Sequence, residues 1–357
     1  MILGLSRSGL DATRSVWVRP AASGQHRVKP LRLVTFEHEG RRRAGAFINE
    51  DTGVVDLAAA HEQRHGVHAP ELADILALIE GGDDALDKAA EAVKSAPAAA
   101  SLPRAAVRLR APIQPPPQMR DCSCFELHLR QCYAAAREMR ARAKGVELLA
   151  DTGPSEAEQR ILDLFAKQPI YYKANRFSVI GTGETVIWPA YSRMMDFELE
   201  FGVYIKKAAK DVPVEKARDY IFGYTIYNDF SARDAQAVEM IGQLGPAKGK
   251  DFDTGNAMGP CIVTADEMPN PYDLTMIARV NGEEWGRGNS GTMHWKFEDL
   301  IAFISRSETL YPGEFLGSGT IGNGCGLEAQ RFLKPGDEVE LEVEGIGVLR
   351  NRIVKEA

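Results

Sequence analysis

The sequence predicts a β-rich α+β fold, with an all-β fold as the alternative. Most of the chain beyond about residue 170 reads as short strands of uneven length, broken by Gly and Pro. Helical periodicity is confined to a few stretches, and no internal repeat of fixed period is visible. The chain has 357 residues and is 44% hydrophobic and 26% charged, which suits a globular protein of one large or two medium domains.

The elements follow in order. Residues 1–30 scatter Arg, Ser and Gly without a continuous apolar core, so they are not a secretory signal. They read as a loose tail, with an Arg-rich transit peptide as the alternative. Regular pattern begins at Leu31, where "LRLVTFEHEG", "RRRAGAFINE" and "VVDLAAA" read as strands joined by turns. "ELADILALIE" and the Ala-rich "DDALDKAAEAVKSA" read as helices. "VRLRAPIQPPPQMRD" then gives a strand-like run and a Pro cluster, which places a boundary near 115 between a small domain (31–115) and a larger one (116–357). Residues 127–168 look helical with a break at "DTGP", "TMHWKFEDLIAFISRS" looks helical, and the C-terminus reads as a hairpin.

Composition excludes several classes of function. A formal net charge of -7 argues against nucleic acid or an anionic membrane as partner. No apolar run reaches the length of a membrane span. Five cysteines, three of them between 122 and 132, give no disulfide ladder, and a reducing cytoplasm is the expected compartment.

The residues that could carry chemistry begin with "DFELEFGVYI". As a strand it puts Asp196, Glu198 and Glu200 on one face and Phe197, Leu199 and Phe201 on the other. Like charges on one face repel, and a hard cation with oxygen ligands would remove the repulsion. A solvated polar face is the plainer reading. In "YTIYNDFSARDAQAVEM", Asp229 ends a strand, and Arg233 and Gln236 follow on one side of a helical turn. Asp229 is either a second ligand or a helix cap. "MRDCSCFELHLRQCY" crowds Asp121, Cys122, Cys124, His128 and Cys132 together. Zinc is one reading, although C-x-C departs from the usual C-x₂₋₄-C spacing; Asp121 as a hard-metal ligand with His128 as a base is the other. "GQLGPAKGKDFDTGNAMGP" fails the phosphate-loop and EF-hand patterns, but it can deliver Lys250 and Thr254 to a pocket. Otherwise it is an exposed loop with a solvated Lys. The Gly-rich "FLGSGTIGNGCGLEAQ" carries Thr320 and Glu328 and permits close backbone approach to a ligand.

Taken in order, "DFELEFGV", "YNDFSARDAQ", "KGKDFDT", "GSGTIGNG" and "FLKPGDEVELEVEGIGVLRN" resemble the fumarylacetoacetate hydrolase family. The resemblance covers roughly residues 118–355. It implies a mixed β-roll catalytic domain with a smaller N-terminal α/β domain and a helical lid insertion at about 129–168. It also implies Mg²⁺ or Mn²⁺, with Ca²⁺ as an option, held by Asp121, Glu198, Glu200 and Asp229. Asp196 shares the strand but not the ion. Arg233, Thr254, Thr320 and Tyr172 fall at substrate-contacting positions, and Lys250 and Gln236 at catalytic ones. His128 lacks the Glu three residues on that one branch carries, having Gln131 instead. Glu328 then takes the part of its partner, as in the fumarylacetoacetase-like branch. The expected activity is hydrolytic C–C cleavage of a small anionic β-diketo acid, with a homodimer as the expected assembly. Water would be activated by His128, and Lys250 and Gln236 would steady the developing negative charge. A metal-dependent decarboxylase, hydratase or isomerase of a 2-keto acid is the alternative.

Overall fold

The computed structural model describes residues 31–146 and 153–355. The expected N-terminal tail, and part of the break at "DTGP", lie outside them.

The first segment contains strands β1 (Arg32–His38), β2 (Arg41–Ile48) and β3 (Gly53–Asp56), helices α1 (Leu57–His65), α2 (Ile75–Glu80) and α3 (Gly82–Ser95), and short strands β4 (Ser101–Pro103) and β5 (Arg108–Arg110). "VVDLAAA" is a strand only to Asp56. That carboxylate accepts from the Ala59 N–H at 3.0 Å, caps α1 and ends the extended run there.

Next come β6 (Met119–Ser123), α4 (Glu126–Ala143), α5 (Glu156–Phe165), β7 (Ile170–Lys173), β8 (Val179–Ile180), β9 (Thr185–Ile187), β10 (Met195–Asp196) and β11 (Leu199–Ile205). They are followed by α6 (Val214–Ala217), β12 (Ile221–Asp229), β13 (Ser231–Ala232), α7 (Arg233–Glu239), β14 (Asn256–Thr264), β15 (Thr275–Val280) and β16 (Glu283–Asn289). α8 (Phe297–Ile304), β17 (Phe315–Gly317) and the C-terminal hairpin, β18 (Glu338–Val343) with β19 (Gly347–Val354), complete the described chain.

The architecture is α+β and rich in strand, as expected. One large sheet runs β4-β3-β2-β1-β14-β12-β11-β17-β6-β7, with β5 added to β1 and β8 to β14. A smaller sheet, β16-β15-β18-β19-β9, stands beside it. The N-terminal strands join the large sheet through β1, where Arg32 and Leu33 pair with Val263 and Ile262.

Side-chain alternation divides the large sheet between two cores. Leu199, Phe201 and Val203 of β11, with Ile226 of β12 and Leu316 of β17, belong to the larger core. Met119, Tyr204, Tyr227 and Phe315 belong to the other, together with Leu33, Leu57, Ile75 and Leu78 of the first segment. Strand period two puts Asp121 on the face of Met119, Glu200 on the face of Tyr204, and Asp229 on the face of Tyr227. The acidic residues therefore continue the face that the first segment covers.

Candidate active site

β6, β17, β11 and β12 are consecutive neighbours in the sheet. They bring Asp121, Glu200 and Asp229 together, with ligand-capable oxygens all within 4.8 Å of one another. Asp121 and Glu200 are separated by one strand, β17. Gly317 of β17 pairs with Asp121, and a Cβ built there would lie 2.6 Å from Asp121 Oδ1 and 3.2 Å from the Tyr227 ring. A bare glycine lets the two carboxylates reach across the intervening strand. Gly319, at φ +74°, gives its N–H to Asp121 Oδ1 at 3.2 Å, and a Cβ there would meet the Cys122 carbonyl at 2.1 Å.

All three carboxylates are buried. Burial, with the charge of Asp229 beside it, pushes Asp121 up to about 7. Burial and Asp121 hold Glu200 well above the usual carboxylate range. Burial also raises Asp229 to about 6, although Lys250 works against it. Glu200 Oε2 and Asp229 Oδ1 are buried and have no hydrogen-bond partner. Unpaired buried carboxylates cost several kcal/mol each, on the order of a full desolvation penalty. An all-oxygen set with orphaned, convergent lone pairs fits a hard divalent cation.

Glu198 is not part of this trio. "DFELEFGVYI" is interrupted: β10 ends at Asp196, and Glu198 forms only a single bridge, to Cys325, before β11 begins. Its N–H is taken by Asn228 Oδ1 at 3.0 Å. Its carboxylate lies 2.8 Å from Arg233 Nη2 and accepts from Lys250 Nζ. Burial alone would raise it, but Lys250 and Arg233 outweigh burial and bring it down to about 2. The face is buried rather than solvated.

Lys250 is buried as well, 2.8 Å from Asp229 Oδ2, so it is no solvated loop residue. Arg233 opens α7 and spans three partners: Asp196 Oδ2 at 2.8 Å, Glu198, and Gln236 Oε1 at 3.0 Å. Asp196 also accepts from the N–H groups of Gly326 at 2.7 Å and Leu327 at 2.9 Å. It thus ties Arg233 to the loop that carries Glu328, a positioning role the sequence reading left unassigned. Tyr172, cross-strand from Asp121, donates to Asp229 Oδ2 at 2.5 Å. Thr320 donates to Glu200 Oε1 at 3.3 Å. Thr254 stands apart, its hydroxyl accepting from the Ile187 N–H at 2.7 Å.

His128, two residues into α4, places Nδ1 2.9 Å from Glu328 Oε1. The other oxygen of Glu328 accepts from the Cys325 N–H at 3.1 Å, which fixes the carboxylate. Burial opposes a charged ring here, but hydrogen bonds to Cys325 and Glu328 outweigh it and push the His128 pKa up to about 10. Cys122 and Cys124, from which zinc was one sequence reading, are instead buried in the larger core.

The family model described as fumarylacetoacetate (FAA) hydrolase C-terminal matches residues 135–354. The match takes in every candidate site residue named above except Asp121, Cys122, Cys124, His128 and Cys132, which precede it. The human protein named oxaloacetate tautomerase FAHD2A, mitochondrial, is 39% identical over 189 residues, 53% of this chain and 60% of that protein. The aligned stretch is thus less than two thirds of that relative. A solved fumarylacetoacetate hydrolase from Exiguobacterium antarcticum superposes with a TM-score of 0.67 at 25% identity, over 91% of this chain and all of that one. A probable 2-hydroxyhepta-2,4-diene-1,7-dioate isomerase from Mycobacterium abscessus, at 23% identity and TM-score 0.65 over 92% of this chain and 99% of that chain, shares the fold.

Proposed function

The chain belongs to the fumarylacetoacetate hydrolase family, and from that premise we propose that it interconverts the keto and enol forms of a small 2-oxo dicarboxylate. The observation that carries this reading is the His128–Glu328 pair, in which a carboxylate 2.9 Å from Nδ1 favours the protonated ring. An imidazolium can donate a proton at once, whereas activating water for hydrolysis needs a neutral ring. The 39% identity to an oxaloacetate tautomerase supports the same choice over C–C hydrolysis.

A divalent cation held by Asp121, Glu200 and Asp229 would polarise the keto group and acidify the adjacent carbon. Glu198 is the fourth carboxylate available, on exchange of its Lys250 contact. Arg233 would bind a substrate carboxylate, fixed in place by Asp196. Gln236, with its carbonyl taken by Arg233, would turn its amide N–H groups to the substrate. Lys250 would steady negative charge on the enolate oxygen. Tyr172 and Thr320 would line the pocket beside the carboxylates, and Thr254 would shape its rim. In the enol-to-keto direction, His128 Nε2 gives its proton to the carbon and recovers one from the enol hydroxyl. The charge of the His128–Glu328 pair is then unchanged over a turnover.

C–C hydrolysis of an acylpyruvate or fumarylacetoacetate-like substrate is the second reading, supported by the full-length likeness to a fumarylacetoacetate hydrolase. One screen separates them: ultraviolet decay of enol-oxaloacetate, and cleavage of an acylpyruvate panel, each with Mg²⁺ or Mn²⁺ and with EDTA. The expected result is accelerated, EDTA-sensitive enol decay that His128→Gln slows by about a hundredfold. Cleavage without tautomerisation would overturn the first reading.

The same reading includes a homodimer, to be checked by sedimentation velocity, and a division of the chain near 115. The unpaired cysteines support a reducing compartment, which we take to be the cytoplasm. No described helix is long and apolar enough to cross a membrane.

A further inference from the structure

A second cluster lies beside the first and differs from it in chemistry. His128 and Cys132 are one turn apart on α4. Cys325 arrives from the Gly-rich segment, positioned by its bridge to Glu198. The ligand-capable atoms of His128, Cys132, Cys325 and Glu328 all lie within 4.8 Å of one another. Cys132 Sγ is 3.6 Å from His128 Nε2. For zinc bonded to sulfur at about 2.3 Å and to nitrogen at about 2.0–2.1 Å, a tetrahedral arrangement sets sulfur and nitrogen roughly 3.5 Å apart. The Cys132–His128 pair already has that spacing, and Cys325 Sγ lies within 4.8 Å of both.

Glu328 completes the arrangement from outside. It holds Nδ1 of His128, which leaves Nε2 as the ring nitrogen available to a metal, with Cys132 Sγ 3.7 Å from Nδ1 and 3.6 Å from Nε2. Metal-bound histidines commonly donate their other nitrogen to a carboxylate in this way. Two sulfurs and an imidazole select a thiophilic cation, whereas the all-oxygen trio selects a hard one.

We propose that His128 Nε2, Cys132 Sγ and Cys325 Sγ form a site for a thiophilic divalent cation such as Zn²⁺, distinct from the carboxylate trio. Binding replaces the two thiol protons and the imidazolium proton, which pass to solvent. It also occupies the nitrogen that moves the substrate proton, so the cation switches turnover off. That consequence rests on the proton-transfer role of His128; the binding site itself does not.

The test uses full-length, reduced protein with Mg²⁺ in excess to fill the carboxylate trio. Co²⁺ is titrated in and absorbance recorded. The expected result is a thiolate-to-cobalt charge-transfer band and tetrahedral visible bands saturating near one Co²⁺ per chain, bleached by Zn²⁺. Cys132 is half-buried on a helix, so Cys132→Ser should keep the fold; Cys325→Ser is the second variant, and far-UV circular dichroism checks both. Each should weaken Co²⁺ binding by at least about tenfold. No charge-transfer band in the unaltered protein, or undiminished bands in both variants, would overturn the site. Turnover is read in parallel, and cobalt binding without loss of turnover would overturn the switching role. If no keto acid is turned over at all, the cobalt spectrum still decides the site on its own.

Discussion

At the scale of single residues, the candidate site depends on groups that do no chemistry themselves. Gly317→Ala would place a methyl group against Asp121 Oδ1 and the Tyr227 ring. We expect Mn²⁺ affinity to drop by about tenfold or more in calorimetric titration, because outer-shell disturbance of a ligand has that size of effect. Unaltered affinity would mean that Gly317 does not set the spacing. Asp196→Asn removes the charge that anchors Arg233 while keeping its shape. Breaking a buried ion pair costs about 3–5 kcal/mol, and Glu198 remains to share Arg233, so about 3 kcal/mol is expected in urea denaturation. His128 supplies the pH dependence. Its pKa rises from 6.5 unfolded to about 10 folded, so its hydrogen bonds to Cys325 and Glu328 stabilise the fold fully below about pH 6.5, and that contribution is lost as pH climbs through about 10. Tautomerase activity should decline over that alkaline range, and a pH profile that instead rises through about 6.5 would point to a neutral base. Of these residues, the acids, His128 and Lys250 were legible as charged groups in unexpected places. Gly317 was not, since a glycine's value here comes from Asp121, a sheet neighbour nearly two hundred residues away in sequence. Asp196 stood out by its charge, but its role required knowing that Arg233 and the Gly326–Leu327 backbone converge on it.

Among the elements, α4 and α5 were readable from periodicity, while their coupling was not. Glu158 accepts from the Ser155 N–H at 2.7 Å to complete a capping box on α5, and it also takes Arg137 of α4 at 2.5 Å. A capping box is a local sequence signal; the reach to Arg137 is tertiary. Glu158→Ala should therefore cost more than the ~1 kcal/mol of a lost cap and should raise amide exchange across 156–165. Exchange confined to the first turn would show that Glu158 acts only as a cap. The acidic strand is the instructive departure. Alternation predicted one face for Asp196, Glu198 and Glu200, and the break after Asp196 sends them to three destinations: the Arg233 anchor, the Arg233–Lys250 pair and the carboxylate trio. Local pattern cannot anticipate such a break, because the cations that cause it lie at 233 and 250.

For the whole molecule, the β-rich α+β class was legible from strand-length runs and turn residues, but the sheet order was not. Pairing β1 with β14 joins positions more than two hundred residues apart, and no local signal encodes that. Leu78→Ala, in α2 and fully buried, should lower stability by about 2–5 kcal/mol by thermal or urea unfolding. A chain begun at residue 116 would bare the Tyr204, Tyr227 and Phe315 side of the sheet and should elute as aggregate in size-exclusion chromatography. A soluble monomer that still binds Mn²⁺ would show the two parts to be separable. The shared face has a consequence for how such a protein can change over evolutionary time. Asp121, Glu200 and Asp229 lie on the same strand faces as Met119, Tyr204 and Tyr227, which share a core with the first segment. An N-terminal segment acquired by recombination from a distant relative would have to fit Met119, Tyr204, Tyr227 and Phe315 before the acids beyond them could line up. The first segment must therefore change in step with the site whose sheet it covers.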